Sequence, residues 1–430
     1  MKLAKLNHIL IPPTKAGRDR FRRAWYGRLL RPLGSLYGAF SAEGRVMAVL
    51  LMFLGFVSLE VYGTRVYLLW SAVVGLFVAT LVARWAYRLA DVRLEVEVPR
   101  RVTRGAPTRF GVVVHNRGAE DQVALRVSGP FLPWDGRWLG AQPVFPSVRA
   151  GATVRGEAEA CFVERGEHHL DPFAIASLVP LGLAVGPPVE GAGSRFLVVP
   201  RVAPVEHIDL PLGDRYQPGG VAQASRTGEA MELWGVRPYR RGDAVRDLHA
   251  LTWARTGVPH VREYRQEYFS RVGVILDNDR LVTTDDGLEA AVSLAAGVVA
   301  CLSRGETLID LLVVDGQVHP LTLGRSLGYL EQALDLLACV QLGAKLEPAN
   351  LVRRLEPHLD RLSAVVLVTE AGSGSERGGP ERRELCELLA ARGLGCRVLR
   401  VARRRGREAK ADDGETLTFA QVHGEAPLRL

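Results

Sequence analysis

Two apolar runs stand close together near the start of the chain. Residues 46–61 read VMAVLLMFLGFVSLEV, with Glu60 their only charge, and residues 66–83 read VYLLWSAVVGLFVATLVA with none. Each approaches the ~20 residues that carry a helix across a hydrocarbon core ~30 Å thick. The four residues between them leave room only for a tight turn, so the pattern predicts a two-helix transmembrane hairpin over 46–90. Tyr62, Tyr67 and Trp85 fall at the edges of the runs, where amphipathic rings favour the interface. Arg84 and Arg88 follow, with stems long enough to reach headgroups.

From residue 91 the period drops to two. Leu94, Val96 and Val98 alternate with Arg93, Glu95 and Glu97; Phe110, Val112 and Val114 repeat the pattern, as do Val123, Leu125 and Val127. Turn residues at 116–118, 129–130 and 166 separate the runs. Short strands at this spacing predict an all-β, sandwich-like domain over 91–200. From residue 271 the pattern alternates instead. Strands are expected at 271–276, 307–314, 364–369 and 396–401, with helices at 287–302, 327–340, 351–359 and 382–392. This is the signature of an α/β, doubly wound parallel sheet over 271–402. Ligands of such sheets bind beyond the carboxyl ends of the strands, where Asp277, Thr369 and Glu370 stand. Residues 403–430 open on Arg403, Arg404 and Arg405 and continue with Asp412, Asp413 and Glu415, which reads as a solvated polar tail.

The charge changes the picture at one end only. The chain carries a net +8, and residues 1–45 alone hold ten lysines and arginines against two acids. The remainder is therefore formally neutral, which argues against a nucleic-acid-binding domain with its own basic face. Positive charge flanking an apolar run marks the cytoplasmic side. Residues 1–45 are thus expected to be a basic cytoplasmic segment of a multi-pass protein of the inner (plasma) membrane, with both termini cytoplasmic and membrane lipid as one partner. Cys161, Cys301, Cys339, Cys386 and Cys396 sit in apolar surroundings without metal-ligand spacing, and read as buried reduced thiols.

The search for catalytic chemistry finds no phosphate-binding loop, zinc-protease helix or nucleophile elbow. Gly372, Ser373, Gly374 and Gly378 miss the dinucleotide spacing, and His168-His169 reads as a surface pair. Residues 228–265 are dense in charge and aromatics, and Arg237, Arg246, Arg255 and Asp243 could form a partly buried ion network. Such networks more often hold structure than perform chemistry.

That stretch resembles the bacterial domain-of-unknown-function 58 family (DUF-58). The resemblance rests on Gly235, Arg237, Tyr239, Gly242, Asp243, Arg246, Ala254, Arg255, Val261, Arg262, Glu263, Tyr264 and Asp277. A weaker match lies upstream at Arg165-Gly166, Asp171-Pro172-Phe173 and Pro180-Leu181-Gly182-Leu183. Ala250 and Trp253 depart from the family, which usually has Trp and Ser there. The resemblance covers residues 90–345, with 201–270 as a signature segment between the two domains. It implies that 271–402 is similar to a von Willebrand factor A domain. Many such domains hold Mg²⁺ through Asp-x-Ser-x-Ser; here the residues are Asp277, Asn278, Asp279, Arg280 and Leu281, a degenerate version with Asp277 and Asp279 as remaining ligands. The resemblance further implies a non-enzymatic, membrane-anchored scaffold with a protein partner, an AAA+ ATPase of the MoxR type. The alternative is a metal-dependent hydrolase using Asp277, Asp279 and Glu370.

Overall fold

The computed structural model describes residues 20, 23–24, 37–59, 65–132, 135–211, 217–218, 227–265, 268–269, 271–278, 283–305, 307–315, 317–323, 327–343, 355–359, 362–371, 386–403 and 415–430. They fall into two units, 1–199 and 200–430. The chain is a multidomain, mixed α/β protein that includes a parallel sheet.

The first unit opens on two paired helices, α1 (Ala42–Ser58) and α2 (Val66–Ala83). Of the two, α2 is long and apolar enough to cross a membrane. Helix α1 begins earlier than the apolar run, because Ser41 caps it by accepting from the Gly44 amide, so Glu43 and Arg45 occupy its first turn. Trp70 of α2 donates its indole N–H to the Leu51 carbonyl at 3.0 Å, and its ring packs over Gly55 of α1.

Eleven strands follow: β1 (Val92–Glu97), β2 (Arg101–Thr103), β3 (Thr108–Asn116), β4 (Gln122–Ser128), β5 (Gly136–Trp138), β6 (Val144–Val148), β7 (Thr153–Phe162), β8 (Gly166–Leu170), β9 (Ala174–Ser177), β10 (Val189–Glu190) and β11 (Ser194–Val199). They form sheets ordered β1-β3-β7-β5, β10-β9-β4-β6 and β2-β11-β8. The period-two positions Phe110, Val112 and Val114 of β3 point into the common core. There Phe110, Phe162 and Phe196 meet edge to face, an arrangement their quadrupoles favour.

The Pro180–Gly182 turn joins this unit to its helices. Leu181 (φ 73°) and Gly182 (φ 66°) are left-handed, which directs the Gly182 carbonyl to the Ser41 hydroxyl and the Leu183 carbonyl to the Ser41 amide. Gly44 lies so close that a Cβ there would overlap the Leu183 carbonyl. Arg84, just past α2, donates to the Val185 carbonyl at 3.2 Å. The helix pair is therefore clamped to the β unit where the chain enters α1 and where it leaves α2.

The second unit holds β12 (Val205–His207), β13 (Gln217–Pro218), β14 (Thr227–Pro238), α3 (Ala250–Thr256), β15 (His260–Arg265), β16 (Tyr268–Phe269) and β17 (Arg271–Leu276). After these come α4 (Asp285–Leu302), β18 (Leu308–Asp315), β19 (Gln317–Leu323), α5 (Leu327–Cys339), β20 (Ala364–Glu370), β21 (Gly395–Ala402), β22 (Glu415–Thr418), α6 (Phe419–Val422) and β23 (Leu428–Arg429). The main sheet has the order β19-β18-β17-β20-β21-β22. All of its pairings are parallel except the edge pair β18–β19. Both faces are covered, as parallel strands require. On β17, Val272, Val274 and Leu276 face α4, while Ile275 faces Leu355, Leu359 and Leu389. Helix α4 is buried almost all round, because residues 203–208 cover the side away from the sheet. Ala203 donates its amide to the Ser293 carbonyl of α4 at 3.1 Å.

Residues 415–430 differ from the expected polar tail. Strand β22 extends the main sheet, β23 pairs with β12, and Leu417, Val422, Leu428 and Leu430 are buried. Four buried apolar side chains outweigh the charges that precede them.

Candidate functional site

The strand order β18-β17-β20 places β17 beside the point where the order of the sheet reverses, and ligands of such sheets bind beyond the carboxyl ends there. Asp277 follows β17 and is 5% exposed. Its carboxylate accepts from the Thr369 hydroxyl at 2.9 Å, its amide donates to the Val368 carbonyl, and its carbonyl accepts from Thr283. Asn278, fully buried, donates its side-chain amide to the Gln341 carbonyl and accepts the Gly343 amide on its own carbonyl. Its Oδ1 has no partner among the described residues.

Glu370, at the end of β20, reaches across to the start of α4. It accepts the Thr284 amide at 2.5 Å and the Thr284 hydroxyl at 3.0 Å, while that hydroxyl accepts from the Gly287 amide. The carboxylate thus sits on the positive end of α4, where a negative charge is stabilised. Gly287 makes room for it, since a Cβ at that position would overlap the carboxylate.

Asp279, with Arg280 and Leu281, lies outside the described residues. No group of three or more His, Cys, Asp or Glu side chains suited to a metal exists among the described residues. Asp277 and Thr369 bring one carboxylate and one hydroxyl together there, and Mg²⁺ is commonly held by one or two protein oxygens with water completing its octahedron.

The signature residues divide. Strands β14 and β15 pair antiparallel, with Gly235 opposite Glu263 and Arg237 opposite Val261. Residues opposite each other share a face, so Arg237 and Glu263 are diagonal neighbours. Arg237 donates to Glu263 at 2.8 Å and binds Asp243 through two bonds of 2.7 and 2.8 Å. Gly242, at φ 112°, allows the turn that brings Asp243 back, and the Arg240 amide adds a further bond. The Arg237 hydrogen bonds hold the Asp243 carboxyl down at about 2. Tyr239 contributes its backbone amide, donated to Pro259. Arg246 and Arg255 do not join this network: Arg246 approaches Asp247 at 3.9 Å, and Arg255 is exposed on α3.

Sequence reasoning missed three residues. Glu263 entered only through the resemblance, yet it completes the Arg237 site. His168, read as a surface residue, is 10% exposed in its side chain and bonds Asp135 at 2.8 Å, between the rings of Phe162 and Phe196. Thr284 carried a legible signal, a threonine three residues before Gly287 at a helix start. Cys339 is exposed, whereas Cys161 is buried and the other three cysteines are half-buried, with the Cys386 and Cys396 thiols 3.4 Å apart.

No family model matches the chain, and no curated protein matches it in sequence. Part of it is similar to solved structures at low scores. The native conformation of Escherichia coli alpha-2-macroglobulin shares 14% identity over 31% of this chain, with a TM-score of 0.21, and the chain spans 8% of that protein. Proximal thread matrix protein 1 from the mussel byssus shares 11% over 36% of this chain and 44% of its own, with a TM-score of 0.27. BatB from Bacteroides thetaiotaomicron shares 14% over 31% of this chain and 66% of its own, with a TM-score of 0.22. Similarities this low carry no argument.

Proposed function

We propose that the chain is a membrane-anchored, non-enzymatic scaffold whose second unit binds a protein partner. The observation that carries this reading is the engagement of both strand-end carboxylates: Asp277 by Thr369, and Glu370 by Thr284. A carboxylate committed to closing a helix start is poorly placed to take a proton or a metal. The hydrolase reading with Asp277, Asp279 and Glu370 therefore loses one of its three residues.

The strand order around β17 suits a von Willebrand factor A-like domain, and the Arg237–Asp243–Glu263 site suits membership of the DUF-58 family. On that reading the partner is a MoxR-type AAA+ ATPase. The pairing of α1 with α2, and the excess of basic residues before them, support a transmembrane hairpin in the inner membrane with both termini cytoplasmic.

The test is capture of the full chain in detergent, with and without Mg²⁺, followed by mass spectrometry and metal analysis. Recovery of an AAA+ ATPase in both conditions is expected. A stoichiometric retained metal with no ATPase would return the hydrolase reading.

A further inference from the structure

We propose that the segment between β14 and β15 is a docking surface for an anionic lipid leaflet. Val245 (70%), Leu251 (64%), Val258 (51%) and Trp253 (44%) are exposed there. Single exposed apolar side chains need no explanation, but four within fourteen residues concentrate apolar surface in one segment.

That segment is cationic at its edges. Arg237 is neutralised by Asp243 and Glu263. Arg240, Arg241, Arg255 and Arg262 are exposed and form no ion pair among the described residues. On α3, Leu251 and Arg255 stand four residues apart and so share a face. His249 caps the start of this helix and Gly257, at φ 69°, ends it, which holds the apolar and basic groups in one short element.

A leaflet of anionic lipids matches both halves. Guanidinium groups bind phosphate oxygens in pairs, and a tryptophan ring favours headgroup depth. Aliphatic tips beside them reach acyl chains. A nucleic acid would satisfy the arginines but leave Val245, Leu251 and Val258 in water. The inference rests on the membrane reading.

The test places p-benzoylphenylalanine at Leu251 in the full chain, reconstituted in nanodiscs of phosphatidylcholine alone or mixed with phosphatidylglycerol. Illumination is expected to add the mass of a lipid in the mixed discs. Arg255→Gln with Arg262→Gln should lower that yield about thirtyfold, as the loss of two charges worth about 1 kcal/mol each near an anionic surface implies, while the Arg→Lys pair should retain most of it. No lipid adduct in mixed discs, an equal yield in phosphatidylcholine, or an adduct to protein would overturn the inference while leaving the anchor standing. A chain that stays out of the discs would overturn both.

Discussion

Glu370 and Thr284 lie 86 residues apart, yet the carboxylate of one accepts both the amide and the hydroxyl of the other. The end of β20 is thereby fastened to the start of α4.

Gly287→Ala tests that contact. The new methyl overlaps the Glu370 carboxylate, so one of the two must shift. Overpacking of this kind costs about 1–3 kcal/mol. The measurement is denaturant unfolding of the full chain in detergent. Pairing it with Glu370→Ala should recover part of the loss, because the clash is then removed.

Arg271 and Asp310 form a bidentate pair between β17 and β18, at 2.8 and 3.1 Å, with side chains 15% and 8% exposed. Asp310→Ala removes the bidentate partner of a mostly buried guanidinium and should cost about 3–5 kcal/mol. Replacing both by leucine and methionine should be far milder. Thermal melts of the single and double variants distinguish a pair held for stability from one that is dispensable.

His168 makes the first unit sensitive to pH. Burial works against its charged form, but the hydrogen bonds from the ring to Asp135 and the Gly166 carbonyl outweigh burial, so its pKa is raised above 6.5. A raised histidine contributes its stability below its unfolded value and loses it as pH rises through the folded one. Melts between pH 5 and 9 should therefore show the wild type losing stability on the alkaline side of about 6.5, and Asp135→Asn should flatten that slope.

Asp243 behaves in the opposite sense. Its carboxyl is held at about 2, down from 3.8, by Arg237 and the Arg240 amide. Its contribution is present above 3.8 and fades as pH falls toward 2. The protection factors of the β14–β15 amides, corrected for intrinsic exchange, should fall over that interval, and Asp243→Asn should show the lowered protection already at neutral pH.

Much of this fold was legible along the chain because period decides it. Val272, Val274 and Leu276 in one short run gave β17 away, and the mostly apolar sixteen-residue run ending at Leu302 gave α4. Residues 415–430 were not legible: Asp412, Asp413 and Glu415 mask the alternation of Leu428 and Leu430, which only the pairing of β23 with β12 makes meaningful. Within the site, spacing brought Arg237 and Asp243 together because six residues with Gly242 form a turn. Spacing says nothing about which side of a hairpin a residue faces, so Arg246 and Arg255 were grouped with them although they lie elsewhere. His168 was hidden for a different reason, since Asp135 and Phe196, which it packs against, lie far from it in sequence.

The anchor is the claim on which the rest depends, and protease treatment of membrane vesicles tests it most directly. The full chain should stay in the membrane after an alkaline carbonate wash. Protease added to inverted vesicles should digest 91–430, and protease added to right-side-out vesicles should leave that region intact. Release by carbonate, or digestion from the outer side, would contradict the account.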